Sequence, residues 1–245
     1  MKLSAREYGD PKGPAVVLLH AFPMSGAMWE PQISALSAYR VLIPDLRGFG
    51  GTPLVAPWLI EHAAADVLDS FEVPAVFVGL SMGGYVALQI AAAAPERVKG
   101  LVLCDTRAEP DANENKLKRA AAIDFVRKNG VPAFLGPFLK DAVVNQRAAS
   151  FLHGVAAKSS PEAVMAALAA LAARPDAVPG LPKITAPTAI LVGSQDKITP
   201  LPLSETMRSR IPGAELHLIP DSGHFSNAEN PVAFNERLLS FLKRL

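Results

Sequence analysis

The hexapeptide Gly79-Leu80-Ser81-Met82-Gly83-Gly84 sets a hydroxyl between glycines where an apolar run (Ala75-Val76-Phe77-Val78) meets an alanine-rich stretch from Tyr85 to Ala94. The run reads as a buried strand and the stretch as a helix. Ser81 then falls on a sharp strand-to-helix turn that strains its backbone and presents its hydroxyl. Gly79 and Gly83 leave room where the turn folds on itself, and Gly84 lets the helix approach the strand. A serine hydroxyl is a poor nucleophile near neutral pH, so it needs a base, and the base needs an orienting acid. Two late loops offer both. Thr188 to Val192 ends in Gly193-Ser194-Gln195-Asp196, and Glu215 to Ile219 ends in Pro220-Asp221-Ser222-Gly223-His224-Phe225. Asp196 and His224 are the candidates at these strand ends, with Asp105, after Val98 to Cys104, as an alternative acid.

These strand ends require a parallel sheet. Apolar strands at Ala15–Leu19 and Val41–Ile43, a helix over Trp58–Phe71, the Ser81 strand and helix, and a strand at Val98–Cys104 alternate as they do in α/β proteins. From residue 108 to 181 no β-branched run appears, and helical segments broken by glycine and proline take over. One of these aligns Leu117, Ala121 and Phe125 on a single face at helical spacing, and another starts at Ser160-Pro161 and aligns Val164, Leu168 and Leu171 on one side. Strands resume at Thr188–Val192 and Glu215–Ile219, and Pro231 opens a last helix with Phe234, Leu238, Leu242 and Leu245 on its buried side. The expectation is a single domain over residues 1–245, with 108–181 inserted as a helical cap above the strand ends where ligands bind.

Composition narrows the functional classes. A net charge of +1 gives no electrostatic footprint for nucleic acid or an anionic membrane. The uncharged run from Val73 to Ala94 is long enough to span a bilayer, but its central glycines and flanking prolines fit a buried strand plus helix instead. The first residues are charged and lack an apolar core, so a cytoplasmic protein is expected. The single cysteine, Cys104, sits in an apolar strand and reads as core filler. No Cys/His cluster suggests a metal, and no G-x-G-x-x-G follows a strand, so no cofactor is expected. His20, His62, His153 and His217 read as structural or surface residues, and Asp45 and Arg47 as fixing a turn.

Five pieces together resemble the α/β-hydrolase superfamily over nearly the whole chain: Leu19-His20-Ala21-Phe22, Asp45-Leu46-Arg47-Gly48-Phe49-Gly50, the Ser81 turn, Gly193 to Asp196, and Gly223-His224. Within it the chain looks like the serine esterase, 3-oxoadipate enol-lactonase and cofactor-free haloperoxidase group. Alanine stands at position 21 where most of that group has glycine. The resemblance implies Ser81 as nucleophile, Asp196 as acid and His224 as base, with the N–H groups of Phe22 and Met82 as the oxyanion hole. It implies a small ester or lactone as substrate. The alternatives it leaves are a C–C bond hydrolase of the same fold, or a slow ligand-binding protein that keeps the triad. Trp29, Phe138 and Phe225 are candidates to contact an apolar acyl group, and Arg107, Arg119 and Arg147 to hold a substrate carboxylate. Nothing in the chain encodes a legible oligomeric state.

Overall fold

Buried Val, Leu and Ile runs build the centre of the molecule. The computed structural model describes residues 1–245. Its strands are β1 (Ala5–Gly9), β2 (Ala15–Leu19), β3 (Arg40–Pro44), β4 (Ala75–Leu80), β5 (Val98–Cys104), β6 (Thr188–Gly193) and β7 (Glu215–Ile219). They form one sheet in the order β1-β3-β2-β4-β5-β6-β7, parallel except for β1, which pairs antiparallel to β3. Every residue of β4 and β6 is buried, as strands covered by helices on both faces require. β1 was not foreseen. Its sequence, Ala-Arg-Glu-Tyr-Gly, carries charges suited to an exposed edge, and its side chains are at most half-buried.

The helices are α1 (Glu30–Ile33), α2 (Ile60–Ser70), α3 (Met82–Ala93), α4 (Asn113–Ala142), α5 (Gln146–Ala156), α6 (Pro161–Ala173), α7 (Leu201–Arg210), α8 (Ser226–Glu229) and α9 (Pro231–Leu242). The chain between β5 and β6 contains α4, α5, α6 and a 3-10 turn, and no strand. α4 is two helices merged at Gly130, whose φ of 78° breaks the helical path just before Pro132. Ser160 caps α6 by accepting the Ala163 N–H, with Pro161 in the first turn.

One apolar stripe faces solvent, and one assigned buried side changes. Leu117 is 72% exposed and Phe125 43% exposed, so the apolar stripe of α4 looks outward. The inward face instead carries Arg119, which bonds the buried Asp111, and Ala122, Ile123 and Val126, which pack on the core. Leu245 lies past the end of α9 and is half-exposed, while Phe241 takes the buried place beside Phe234, Leu238 and Leu242. No single helix is long and apolar enough to cross a membrane.

Candidate active site

The turn after β4 folds as its glycines require. A Cβ on Gly79 would stand 2.2 Å from the Gly83 carbonyl oxygen, and one on Gly83 would stand 2.1 Å from that of Leu19. Gly84 faces the Thr106 side chain, where a Cβ would meet Oγ1 at 2.5 Å. Ser81 sits at φ 52°, ψ −111°, a conformation that non-glycine residues rarely adopt. Its amide donates to Cys104 and its carbonyl accepts from Thr106 Oγ1 at 2.8 Å, which holds the strain in place. Ser81 does not cap α3 with its side chain, so its hydroxyl is free to engage elsewhere.

That hydroxyl lies 2.9 Å from His224 Nε2, and His224 Nδ1 lies 2.9 Å from Asp196 Oδ2. A carboxylate only accepts, so Nδ1 carries the proton and Nε2 is the lone pair turned toward Ser81. Asp196 is held by four donors. Oδ1 accepts from the Ile198 and Thr199 N–H groups, and Oδ2 from Thr199 Oγ1 and His224. Burial works against its charge, but the His224 charge and these hydrogen bonds pull its pKa down to about 2. Burial likewise opposes a charged His224, yet the Asp196 charge and hydrogen bond win and raise its pKa.

Asp105, the alternative acid, does not bond His224. Its Oδ1 accepts from Gly193 N–H at 2.8 Å and its Oδ2 from Ser226 Oγ at 2.5 Å, tying the Asp196 and His224 loops to the end of β5. It is fully buried at φ 43°. Burial first, then the Asp196 charge, push its pKa up to about 8.

Met82 follows Ser81 as the first residue of α3, and Phe22 is buried with its ring against Phe134 and Phe138. His20 is fully buried, donates from Nδ1 to the Ala21 carbonyl and accepts the Leu46 N–H at Nε2, and so braces the Phe22 loop. Burial depresses its pKa to about 4, so it is neutral. Asp45 accepts from Gly26 and Gly51 N–H groups and fixes the same region.

Phe225 packs edge-on to His224 at 5.5 Å and to Phe138 at 6.4 Å, and Phe138 meets Phe22 at 6.0 Å. Phe134, one turn earlier on α4, stacks on Phe138 and closes an aromatic cluster beside His224. Trp29 does not join it. It is fully buried and its ring meets Phe234 of α9 at 6.1 Å, because the 3-10 turn at Gly26–Trp29 aims it into the core. Arg107 and Arg119 both bond Asp111, together with Arg174. Glu229, which carried no recognisable motif signal, is a buried carboxylate bonded to backbone on both sides of His224. Cys104 is buried and burial raises its thiol pKa, which leaves it protonated and inert.

The alpha/beta hydrolase family model matches residues 16–237, and the chain belongs to that family. It is 32% identical to a putative carbamate hydrolase RutD of Variovorax paradoxus, over 100% of this chain and 97% of that protein. It is 28% identical to 3-oxoadipate enol-lactonase 1 of Acinetobacter baylyi, over 99% of this chain and 94% of that one. Among solved structures, a thermophilic esterase from Thermogutta terrifontis superposes with a TM-score of 0.93 at 32% identity, covering 99% of this chain and 93% of that one.

Proposed function

We propose that this enzyme hydrolyses small carboxylic esters or lactones through a Ser81-His224-Asp196 triad. The carrying observation is the continuous line of hydrogen-bond contacts from Asp196 through His224 to the strained Ser81 hydroxyl. Ser81 Oγ attacks the carbonyl carbon while His224 Nε2 takes its proton, and Asp196 stabilises the imidazolium formed. The N–H groups of Met82 and Phe22 receive the oxyanion, each donor contributing roughly 10²–10³ in rate. Met82 opens α3, so the helix dipole favours negative charge there. His224 returns the proton to the leaving oxygen, then activates water to release the acid from Ser81.

The segment 108–181 serves as a cap. Its α4 contributes Phe134 and Phe138 to the aromatic cluster beside His224, which favours a compact apolar acyl group. The esterase and enol-lactonase relatives agree with this bond type. The involvement of Arg107 and Arg119 with Asp111 argues against their holding a substrate carboxylate. Initial rates on p-nitrophenyl esters of increasing acyl length, beside a lactone series, test the reading. Turnover with an optimum at short acyl chains is expected. Equal rates at every length would argue against selection by the aromatic cluster, and faster cleavage of a vinylogous diketone would move the reaction to C–C bonds.

A further inference from the structure

Three carboxylates influence His224: Asp196, Asp105 and Glu229. The third has no part in the chemistry above. Glu229 lies in α8 and is 6% exposed. Its Oε1 accepts the N–H groups of Gly223 at 3.0 Å and Phe225 at 3.2 Å, which flank His224 in sequence. Its Oε2 accepts those of Val144 at 2.7 Å and Asn145 at 3.2 Å, in the turn between α4 and α5. Two more bonds cross the same seam. The His224 amide donates to the Ala142 carbonyl at 2.8 Å, and the Asn145 side-chain amide to the Glu229 carbonyl at 3.4 Å. The approach is close enough to require glycine at 223, where a Cβ would stand 2.6 Å from the Ala142 oxygen.

The donor count decides the chemistry. All four partners of the Glu229 side chain are N–H groups, and a carboxylate can accept on both oxygens. An amide of the same size accepts on one atom only and must turn its NH₂ against one pair of donors. A shorter carboxylate keeps the charge but cannot span both segments. Burial raises the pKa of Glu229, while its backbone hydrogen bonds oppose that rise.

We propose that Glu229 is a positioning residue for His224, and that by holding both segments it makes cap seating and base alignment a single state. This rests on reading His224 as the base and 108–181 as the cap. Glu229→Gln and Glu229→Asp, measured beside wild type and Ser81→Ala, test it. Rates are expressed per active site titrated with a p-nitrophenyl phosphonate, from about pH 5 to about pH 9. Both variants should stay folded by circular dichroism and lose about ten-fold or more in kcat, because a misaligned base costs rate rather than binding. The acid limb should move to lower pH in Glu229→Gln, which removes an anion near His224, and stay in place in Glu229→Asp. Asp196 and Asp105, the other carboxyl groups facing His224, are unchanged in both. Wild-type kcat per titrated site with an unmoved limb, alongside a lower melting temperature, would make Glu229 merely structural and overturn the proposal.

Amide exchange of the wild-type protein covers the case of variants that fail to fold. The Val144, Asn145, Gly223 and Phe225 amides should open with one common rate, and two separate rates would overturn the coupling. That measurement needs no turnover. A failed triad reading would show instead as absent phosphonate labelling with the common exchange rate intact.

Discussion

Replacing Asp196 with asparagine changes one atom and should disable the enzyme by reversing a tautomer. The carboxylate faces two kinds of donor. Oδ1 receives the Ile198 N–H at 2.8 Å and the Thr199 N–H at 2.9 Å, while Oδ2 receives Thr199 Oγ1 at 2.7 Å and His224 Nδ1 at 2.9 Å. Backbone N–H groups cannot accept, but a hydroxyl and an imidazole nitrogen can. The amide carbonyl must therefore take the place of Oδ1 and the NH₂ that of Oδ2. His224 then accepts at Nδ1 and carries its proton on Nε2, pointed at Ser81 Oγ, where no proton can be received. A triad in the wrong tautomer loses roughly 10⁴ in kcat, equivalent to about 5–6 kcal/mol of transition-state stabilisation at ~1.4 kcal/mol per decade. The assay is initial ester hydrolysis across pH, with melting followed in parallel to confirm the fold. Loss of the Asp196 charge, which supports the His224 imidazolium, should also shift any residual acid limb downward. A fall of less than about ten-fold would refute the reasoning, because a base in the wrong tautomer cannot work nearly as well.

Three further outcomes follow from the same geometry. Because His224 must be neutral to act and its pKa is raised, the acid limb of kcat/KM should sit above the ordinary histidine value of about 6.5, and a limb below it would contradict the Asp196 contact. Asp196 is depressed from 3.8 to about 2, so its contribution is present above the unfolded value and lost as pH falls through the folded one. Wild type minus Asp196→Asn in urea unfolding should therefore lose on the order of 2 kcal/mol between roughly pH 5 and pH 2, and a flat difference would contradict it. Gly83→Ala forces a Cβ to 2.1 Å from the Leu19 backbone oxygen, whereas Gly154→Ala in α5 meets nothing within 4 Å. The first should cost about 2 kcal/mol or more and the second stabilise by about 0.5–1 kcal/mol, with the reverse order refuting the packing.

Much of this fold was legible because its signals are local. The strands that carry Ser81, Asp105, Asp196 and His224 are continuous apolar runs, and glycine or proline marks nearly every boundary between elements. β1 escaped notice because an edge strand needs no apolar period, and Arg6 and Glu7 in its middle break any apolar run. The outward orientation of the Leu117 stripe on α4 was not legible, because spacing identifies a stripe without saying what lies opposite. The opposite face holds Arg119 on Asp111 and sets Ala122, Ile123 and Val126 against the core. The candidate nucleophile, base and acid were found from strand ends, and the structure brings those three atoms into line. Trp29 was grouped with the substrate contacts on residue type alone, and its position against Phe234 depends on a turn whose direction sequence does not encode. Glu229 was invisible for a different reason. Its partners are backbone N–H groups, which every residue but proline supplies, so no side-chain pattern could reveal them.

The most direct test of the central claim is to trap the acyl-enzyme. Wild type mixed with a p-nitrophenyl ester and quenched in acid should gain the acyl mass on the peptide containing Ser81, and Ser81→Ala should show neither the adduct nor turnover while keeping its fold. Turnover at the wild-type rate in Ser81→Ala, or an acyl group found on another residue, would contradict the account.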